Sequence, residues 1–475
     1  MTRQPNPPLS GSLDDTFATT TMLQRAPKAQ FPLVERGPRE IYQLVSDELM
    51  LDGAARMNLA TFCTTWVEPE VRQLMADCMD KNIVDKDEYP QTAELESRCV
   101  HMLADLFHAP DPGSTVGTST TGSSEAAMLG GLAAKWRWRS RRRAANQKAI
   151  SPNFVCGPVQ VCWEKFGRYF DVETRQIQMG PGHVMAPAEA VAACDENTIA
   201  VVATFGQTFT GMFEDVEAIS RALDDLQANT GLDIPIHVDA ASGGFVAPFC
   251  APSLVWDFRL PRVKSLNVSG HKTGLAPLGS GWAIWRETSD LPPELIFNVN
   301  YLGGEMPTFN LNFSRPGGQV VCSYYNFLRL GREGFANVQA ATYQVAAYLA
   351  EQLAAMGPFE ILFDGDPNRG IPAVTWKLAD PHASYTLFDL ADELRSRGWL
   401  VPAYTLPAGQ DNVSVQRIIV RHGLSLDMAD LVLADTRRAI SRLTARQATS
   451  PPMTAAVPSF NHDAFPAVAN ENVVI

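Results

Sequence analysis

The chain has 475 residues, 45% of them hydrophobic, so it is long enough for one large domain and a smaller one, each with a core. A net charge of −13 and an isoelectric point near 5.1 argue against a general binder of nucleic acid or membranes. The eight cysteines contain no C-x-x-C pair, so they predict neither a disulfide framework nor a metal site, and we expect reduced thiols in the cytoplasm.

The N-terminal region is rich in Pro, Ser and Thr up to about residue 36, which is typical of an extended or partly disordered arm. The apolar spacing in 38–57 then favours a short helix. We expect 1–57 to form an arm and helix, and arms of this kind commonly cross onto a partner subunit. No signal-peptide core and no run of about 18 apolar residues occurs, so we expect neither export nor a membrane span.

Helical spacing continues after NLATFCTTW (58–66), first in a stretch that ends near residue 80. A second helix is predicted over 92–107, where four apolar residues recur on one face. The pattern up to this point fits a covering layer on the main domain.

A Gly-rich segment with many hydroxyl side chains, GTSTTGSS (117–124), comes next and predicts a turn that leads into a helix as far as Trp138. The free N–H groups at such a helix start, with the hydroxyls of Ser123 and Ser124, form a natural anion site for a phosphate. The same residues also fit a simple helix cap. The basic run WRWRSRRR at the far end suits the negative end of the helix dipole and solvent.

Strands and helices alternate from residue 153 onward, which indicates a largely parallel sheet covered on both faces. The predicted strands cover 154–157, 175–179, 198–204, the segment ending at Asp239, and two more between 263 and 285. The helices between them are predicted over 160–169, 187–194 and 214–230.

The last third of the chain is predicted to form a small α+β domain. Helical patterns over 320–330 and 335–356 lead into it, and they are followed by strands at 373–378, 399–404 and 413–420 and by helices at 386–397 and 427–444. We therefore predict a large domain over 58–342, a small domain over 343–449 and a flexible tail over 450–475.

Lys272 lies in NVSGHKTGLAPLGSG (267–281), directly after a strand-like segment, VKSLNV, that breaks off into small and hydroxyl-bearing residues. Ser269 and His271 flank it with an anion-binding hydroxyl and a ring. Burial would make the lysine amine nucleophilic. A lysine in a Gly/Ser loop is otherwise an ordinary surface charge, so the context decides its meaning.

Asp239 ends a second apolar strand in IPIHVDAASGG (234–244). Open α/β sheets bind ligands beyond the carboxyl ends of their strands, so the acid and the amine can converge on one ligand. If that ligand is pyridoxal phosphate, the amine forms an imine with its aldehyde. The carboxylate then keeps the pyridine nitrogen protonated, so that the ring accepts electrons.

The chain closely resembles the pyridoxal-phosphate glutamate decarboxylases of the group II decarboxylase family, which have fold type I. The resemblance covers about 31–462 and is carried by NLATFCTTW, DKDEYP, GSSEAAMLGG, CGPVQVCW, HVDAASGGFVAPF, SGHKTGLAPLG and NFSRPGGQV. It implies an α/β fold with a mostly parallel sheet of the seven-stranded type, covered by helices, and a small C-terminal α+β domain. It also implies a cytoplasmic lyase that converts L-glutamate into 4-aminobutanoate and CO₂ through a pyridoxal phosphate Schiff base and consumes a proton.

The resemblance assigns cofactor roles to residues in most of these motifs. Lys272 would form the Schiff base, Asp239 would pair with the pyridinium, and both are implied to be catalytic together with His271. The remaining implied cofactor contacts are Ser123, Ser124, Ser269 and His271 around the phosphate, Gln160 and Ala241 on the two faces of the ring, Thr208 near the ring hydroxyl or the leaving carboxylate, and Ser314 from the neighbouring subunit.

The substrate residues follow from the same resemblance. Arg417 would grip the α-carboxylate with two hydrogen bonds, with Arg421 as the fallback candidate. Thr61, Phe62, Asn82 and Asp85 would meet the distal carboxylate, with Asp85 expected to lie across a dimer interface. Because two close carboxylates favour sharing one proton, we expect higher activity at acidic than at neutral pH.

Two regulatory features of relatives involve the C-terminal tail. SFNH (459–462) resembles the C-terminal histidine that plugs the site of bacterial members, but His462 is followed by thirteen further residues. The tail is neither basic nor amphipathic, so we expect no calmodulin binding. We expect a homodimer with shared active sites or a hexamer, and no metal, membrane or nucleic-acid partner. The alternatives are a decarboxylase of aspartate or an aromatic amino acid, and a catalytically idle homologue that binds partners.

Overall fold

The computed structural model describes residues 25–300 and 306–447 of the chain. Two units are distinguished, Met1–Ala55 and Arg56–Ile475. In the first, helix α1 (Pro38–Leu49) starts with proline at its first turn and contains no buried residue. It ends at Leu49 and not at 57 as the spacing predicted, because the Asp52-Gly53 pair that follows favours a turn.

The second unit contains the rest of the described helices and all of the described strands. Its helices are α2 (Pro69–Asp77), α3 (Pro90–Leu106), α4 (Ser123–Ala144), α5 (Val161–Tyr169), α6 (Pro187–Ala192), α7 (Val216–Thr230), α8 (Ala247–Cys250), α9 (Gly318–Ala355), α10 (Leu387–Arg395) and α11 (Leu426–Gln447). Its strands are β1 (Gly117–Thr120), β2 (Asn153–Cys156), β3 (Glu173–Gln176), β4 (Thr198–Thr204), β5 (Ile236–Asp239), β6 (Val263–Val268), β7 (Gly281–Trp285), β8 (Phe297–Val299), β9 (Met306–Thr308), β10 (Phe359–Phe363), β11 (Ala373–Leu378), β12 (Ala403–Thr405) and β13 (Ser414–Ile419).

The large sheet has seven strands in the order β1-β7-β6-β5-β4-β2-β3. Only β7 runs antiparallel to its two neighbours, and the other pairs are parallel, which confirms the predicted mostly parallel sheet. The central strands β4 and β5 are buried at every position, as continuous apolar runs in parallel sheets require. The carboxyl ends of β4, β5 and β6 therefore meet at one edge of the sheet.

A second sheet has four antiparallel strands in the order β10-β11-β13-β12. Helices α9, α10 and α11 pack with it around a separate core that contains Trp376 and Leu390. Helix α10 begins with a capping box in which Thr386 and Asp389 satisfy each other's backbone N–H groups. The sheet positions β13, which carries Arg417, beside the large sheet's carboxyl edge.

Helix α9 joins the two predicted helices 320–330 and 335–356 across a kink at Gly331, whose φ of 58° and ψ of −169° are not helical. The predicted domain boundary near 343 falls within its second half. Among the described residues, no helix combines the length and the apolar character needed to cross a bilayer.

Candidate active site

Lys272 lies just beyond the end of β6, as the sequence predicted, in a loop held by three neighbouring segments. Its Nζ donates to Ser242 Oγ at 3.2 Å and lies 5.1 Å from the centre of the Phe62 ring. Thr64 fixes the backbone by donating from its N–H to the carbonyl of His271 at 2.7 Å. Loss of hydration lowers the pKa of Lys272, and the nearby charge of Asp239 opposes this only in part. The amine therefore has more of its nucleophilic neutral form than a surface lysine.

Asp239, at the carboxyl end of β5, is 6% exposed and receives three N–H donors. Trp163 Nε1 donates to its Oδ2 at 2.8 Å, and Asn267 Nδ2 donates to its Oδ1 at 2.8 Å. The backbone N–H of Ala241 donates to Oδ1 at 3.2 Å. Hydrogen bonds from several N–H groups stabilise a carboxylate and fix its orientation.

The structure brings the acid and the amine to one edge of the sheet. β5 and β6 are parallel neighbours, and Ser242, three residues after Asp239, accepts the hydrogen bond of Lys272. The charge of Asp239 also acts directly on the ionisation of Lys272. This is the convergence that the two separate motifs predicted.

The start of α4 lies against the lysine loop. Gly122 precedes the helix with a φ of 142°, which a residue with a side chain rarely adopts, and a Cβ there would lie 3.3 Å from His271 Cε1. Gly281 lies still closer, since a Cβ there would lie 2.4 Å from the Gly122 carbonyl carbon. Ser123 and Ser124 form the first turn of α4, and no side chain caps it. The four predicted phosphate residues are thus brought together, and burial with the charge of Lys272 lowers the pKa of His271 to about 4.

The remaining predicted cofactor residues surround the same edge. Gln160 caps α5 by accepting from the N–H of Cys162 at 2.7 Å, and Ala241 follows Asp239 directly. Thr208 lies in the turn after β4, whose last residue pairs with Asp239. Loops that follow adjacent strands thus provide these residues.

Arg417 projects from β13 toward the same group, and it is 6% exposed. Its guanidinium carbon lies 4.6 Å from the centre of the Phe62 ring, the ring that Lys272 also contacts. One of its terminal nitrogens donates to the carbonyl of Ala60 at 3.2 Å. Arg421 instead donates to Thr65 Oγ1 at 2.7 Å and to backbone carbonyls of 58–63, so it anchors the segment that carries Thr61 and Phe62.

A second group of predicted residues lies in the segments that precede α3 and α9. Asn82 Nδ2 donates to Ser314 Oγ at 3.2 Å, and its Oδ1 accepts from the N–H of Arg315 at 3.1 Å. Asp85 Oδ1 accepts from the N–H of Glu88 at 3.0 Å. Within residues 25–300 and 306–447, no hydrogen bond or ring contact joins this group to Lys272. His462 lies outside the described residues.

Sequence reasoning missed several side chains that hold the site together: Trp163, His237, Ser242 and Asn267. Asn267 and His237 are polar residues at positions of β6 and β5 that are buried, and a buried polar residue in a central strand signals a specific hydrogen bond. That signal was visible in the sequence and could have identified them.

A family model described as the pyridoxal-dependent decarboxylase conserved domain matches residues 33–379, well over half of the chain. The chain belongs to this family. It is similar to a glutamate decarboxylase of Aliivibrio fischeri, with 58% identity over 432 residues that cover 90% of this chain and 92% of that protein. It is also similar to a glutamate decarboxylase of Solanum lycopersicum, with 48% identity over 445 residues, 93% of this chain and 87% of that protein.

Among solved structures, the glutamate decarboxylase of Lactobacillus brevis superimposes with a TM-score of 0.86 at 43% identity, covering 90% of this chain and 97% of that chain. Together with the seven-stranded sheet, this likeness confirms the fold of the fold-type I pyridoxal phosphate enzymes. It also confirms the family that the motifs indicated.

The site of this pyridoxal-dependent decarboxylase fits the family's cofactor. Within the described residues, the buried atoms Ser269 Oγ and His271 Nδ1 have no hydrogen-bond partner, as expected of groups that hold a ligand. The uncapped start of α4 offers backbone N–H groups to a phosphate beside them. A buried carboxylate and a partly dehydrated amine complete the set of groups that the aldehyde and the ring nitrogen require.

Proposed function

We propose that this pyridoxal-dependent decarboxylase converts L-glutamate into 4-aminobutanoate and CO₂. The observation that carries the proposal is the placement of Arg417 and Lys272 against one ring, that of Phe62, at 4.6 and 5.1 Å. A cation that can grip a carboxylate is thereby held next to the amine. The identity with named glutamate decarboxylases over about nine-tenths of the chain supports glutamate as the substrate.

In this proposal the cofactor is held at both ends by residues of the large sheet's edge. Lys272 binds it covalently, and Asp239 faces the ring nitrogen. Ser123, Ser124, Ser269 and His271 hold the phosphate, Gln160 and Ala241 enclose the ring, and Thr208 lies beside it. Bound pyridoxal phosphate supplies an electron-accepting ring, which stores the electron pair released when the α-carboxylate leaves.

The protein's own groups then orient the substrate. The planar fork of Arg417 would take two oxygens of the α-carboxylate and hold that group in one fixed orientation. The ring of Phe62 excludes water from the space between Arg417 and Lys272. The product needs one proton at Cα, and the amine of Lys272, with its lowered pKa, is placed to carry it.

The distal carboxylate is proposed to meet Thr61 and Phe62 together with Asn82 and Asp85. Since Asn82, Asp85 and Ser314 form a separate group within one chain, we propose that they serve the site of a partner subunit in a cytoplasmic homodimer or a larger assembly. Asp85 beside a substrate carboxylate favours binding at acidic pH, because the pair can then share a proton.

We also propose the division into 1–57, 58–342, 343–449 and 450–475, with α9 as the connection across the boundary near 343. Limited proteolysis should cut near the outer boundaries, at about residues 57 and 449, more readily than within α9 or the two sheets. Early cleavage inside β4 or β11 would contradict the division.

The test is to incubate purified protein with pyridoxal phosphate and L-glutamate, at acidic and at neutral pH, and to measure CO₂ and 4-aminobutanoate. Aspartate and an aromatic amino acid serve as competing substrates, and Lys272→Ala serves as the inactive control. We expect glutamate to be preferred and the acidic sample to be faster. Preference for another amino acid would contradict the proposed substrate, and no turnover of any of them would contradict the activity.

A further inference from the structure

A line of buried polar side chains extends behind Asp239, away from the cofactor side. Ser265 Oγ lies 2.7 Å from His237 Nδ1, and His237 Nε2 lies 2.8 Å from Asn267 Oδ1. Asn267 Nδ2 then donates to Asp239 Oδ1 at 2.8 Å. The four residues alternate between the neighbouring strands β5 and β6, where the register pairs His237 with Ser265 and Asp239 with Asn267.

The carboxylate of Asp239 fixes the direction of the two hydrogen bonds nearest to it, and the neutral form of the imidazole fixes the third. A carboxylate only accepts, so the amide nitrogen of Asn267 faces Asp239 and the amide oxygen faces His237. That oxygen requires a donor, which places the imidazole proton on Nε2. In the neutral imidazole Nδ1 is then an acceptor, and it accepts a hydrogen bond from the hydroxyl of Ser265. All three side chains thus donate toward Asp239.

Close packing fixes the positions of the side chains in this line. His237 is 1% exposed and Asn267 is 0% exposed. The backbone of α4 packs on the imidazole so closely that a Cβ at Gly130 would lie 2.3 Å from His237 Cε1. The Trp163 ring meets the imidazole edge-on at 5.1 Å and donates to the other oxygen of Asp239 at 2.8 Å.

The environment of the imidazole favours its neutral form. Burial lowers the pKa of His237, and the hydrogen bond to Asn267 and the charge of Asp239 oppose the effect only in part. A neutral ring with its N–H at Nε2 fits all three hydrogen bonds, so the geometry and the direction of the pKa shift agree.

We propose that His237 and Asn267 are positioning residues, which act through Asp239 to aim its carboxylate at the ring nitrogen of pyridoxal phosphate and to keep it a hydrogen-bond acceptor. This inference rests on the proposed function, in which Asp239 faces that nitrogen. A polar pair that only stabilises the strands would contribute equally to the affinity for any ligand of the same shape. A positioning pair contributes only when the ligand carries the ring nitrogen.

The experiment compares two ligands of the apoprotein: pyridoxal phosphate, and its analogue in which a C–H group replaces the ring nitrogen. Dissociation constants are measured by fluorescence titration for the wild type and for His237→Leu, which removes the N–H donor at similar volume. His237→Gln is the conservative variant, because its amide can donate from the position of Nε2. Ser265→Ala is the matched control, because it removes the far end of the line and leaves the donors near Asp239 in place.

We expect His237→Leu to weaken binding of pyridoxal phosphate by about tenfold and to leave binding of the analogue nearly unchanged, because Asn267 then loses the donor that orients its own hydrogen bond to the charged carboxylate of Asp239. His237→Gln should restore most of the loss, and Ser265→Ala should bind nearly as the wild type does. If His237→Leu does not fold, Asn267→Ser should show the same selective loss.

Suppose that the wild type prefers pyridoxal phosphate to the analogue. If His237→Leu then weakens binding of both ligands equally, or of neither, the inference is overturned and the proposed function is not. A wild type that binds both ligands equally would overturn it together with the assignment of Asp239. Failure of the proposed substrate is separate, because it would appear only in the turnover assay and not in these affinities.

Discussion

Arg417 and Arg421 lie four residues apart, yet the structure gives them different neighbours. Arg421 donates to Thr65 and to backbone carbonyls of 58–63, whereas Arg417 lies over Phe62 beside Lys272. These contacts support Arg417, rather than the fallback Arg421, as the group that takes a substrate carboxylate.

Replacing Arg417 by Lys keeps the charge and removes the planar guanidinium. It therefore tests the contribution of the two hydrogen bonds to the α-carboxylate separately from that of the charge. We expect kcat/KM for glutamate to fall by about 100-fold, the effect of losing one charge-assisted hydrogen bond and the alignment that it provides. Arg421→Lys, the matched comparison, should lower thermal stability more than kcat/KM. A larger loss of kcat/KM in Arg421→Lys than in Arg417→Lys would reverse the assignment.

Glu214 is an acid buried in the core near the active site. It is 1% exposed, its Oε2 accepts from the N–H of Thr204 at 2.7 Å, and a Cβ at Gly157 would lie 2.2 Å from its Oε1. Burial raises the pKa of Glu214 to about 8 from 4.5, although backbone hydrogen bonds oppose the shift. The folded state therefore retains a proton that the unfolded state releases between these pH values, and stability falls as pH rises from 4.5 to 8.

Glu214→Gln should become progressively more stable than the wild type over that range, by at most about 1.4 kcal/mol per pH unit, because the glutamine has no proton to lose. Urea unfolding of the apoprotein at several pH values measures the difference. Glu217→Gln, at a half-exposed position on α7, is the matched control and should leave the pH dependence of stability unchanged. Stability curves of Glu214→Gln and the wild type that stay parallel would show that Glu214 is not protonated in the fold.

At the scale of elements, the start of α4 is set by two glycines. Gly281 begins β7 and pairs with Thr120 of β1, and its lack of a side chain lets the backbone of Gly122 and Ser123 approach. A Cβ at Gly281 would lie 2.6 Å from the N–H nitrogen of Ser123 as well as 2.4 Å from the carbonyl carbon of Gly122. The phosphate side of the site therefore depends on a helix-to-strand contact made by backbone atoms.

Gly281→Ala should push the first turn of α4 away from Ser269 and His271. We expect affinity for pyridoxal phosphate to fall by about tenfold or more while affinity for pyridoxal, which lacks the phosphate, changes little, because a displaced helix start loses its hydrogen bonds to the anion. Gly113→Ala is the control, since its Cβ would meet only Asp111 at 3.8 Å. An equal loss of affinity for both ligands would show that the substitution acts outside the phosphate side of the site.

The predictability of the elements depended on how local their signals were. The apolar runs of β4, β5 and β6 and the periodic helices α3, α7 and α11 were predicted from short windows of sequence. β1 was predicted as part of a turn, because its hydroxyl-rich GTST becomes a strand only by pairing with β7, far along the chain. β10 was missed although FEILF is partly apolar, since it lies directly after a long helix.

At the scale of the whole molecule, one chain carries two groups of predicted site residues. Lys272, Asp239 and Arg417 belong to the first, and Asn82, Asp85 and Ser314 belong to the second. Lys272 and Asp239 were predicted from their own motifs, whereas the resemblance to the family implied the other members of both groups. Sequence could not assign the groups to one subunit or to two, since that depends on how chains associate. It also missed His237 and Asn267, whose role depends on strand register.

If the second group serves a partner's site, two inactive variants should complement each other. Lys272→Ala lacks the amine, and the double variant Asn82→Ala, Ser314→Ala lacks the second group. A mixed dimer of the two has one intact site, so an equal mixture of refolded chains should recover about a quarter of wild-type activity. Each variant mixed with itself is the control. Mixtures that stay inactive while mixed dimers are present would assign both groups to a single subunit.

The central claim is that the amine of Lys272 is the covalent attachment point of the cofactor. Borohydride reduction of the protein loaded with pyridoxal phosphate, followed by peptide mass mapping, tests it directly. We expect one modified peptide, which contains Lys272, and no modification in Lys272→Ala. A pyridoxyl group on any other lysine, or none on the wild-type protein, would contradict the account.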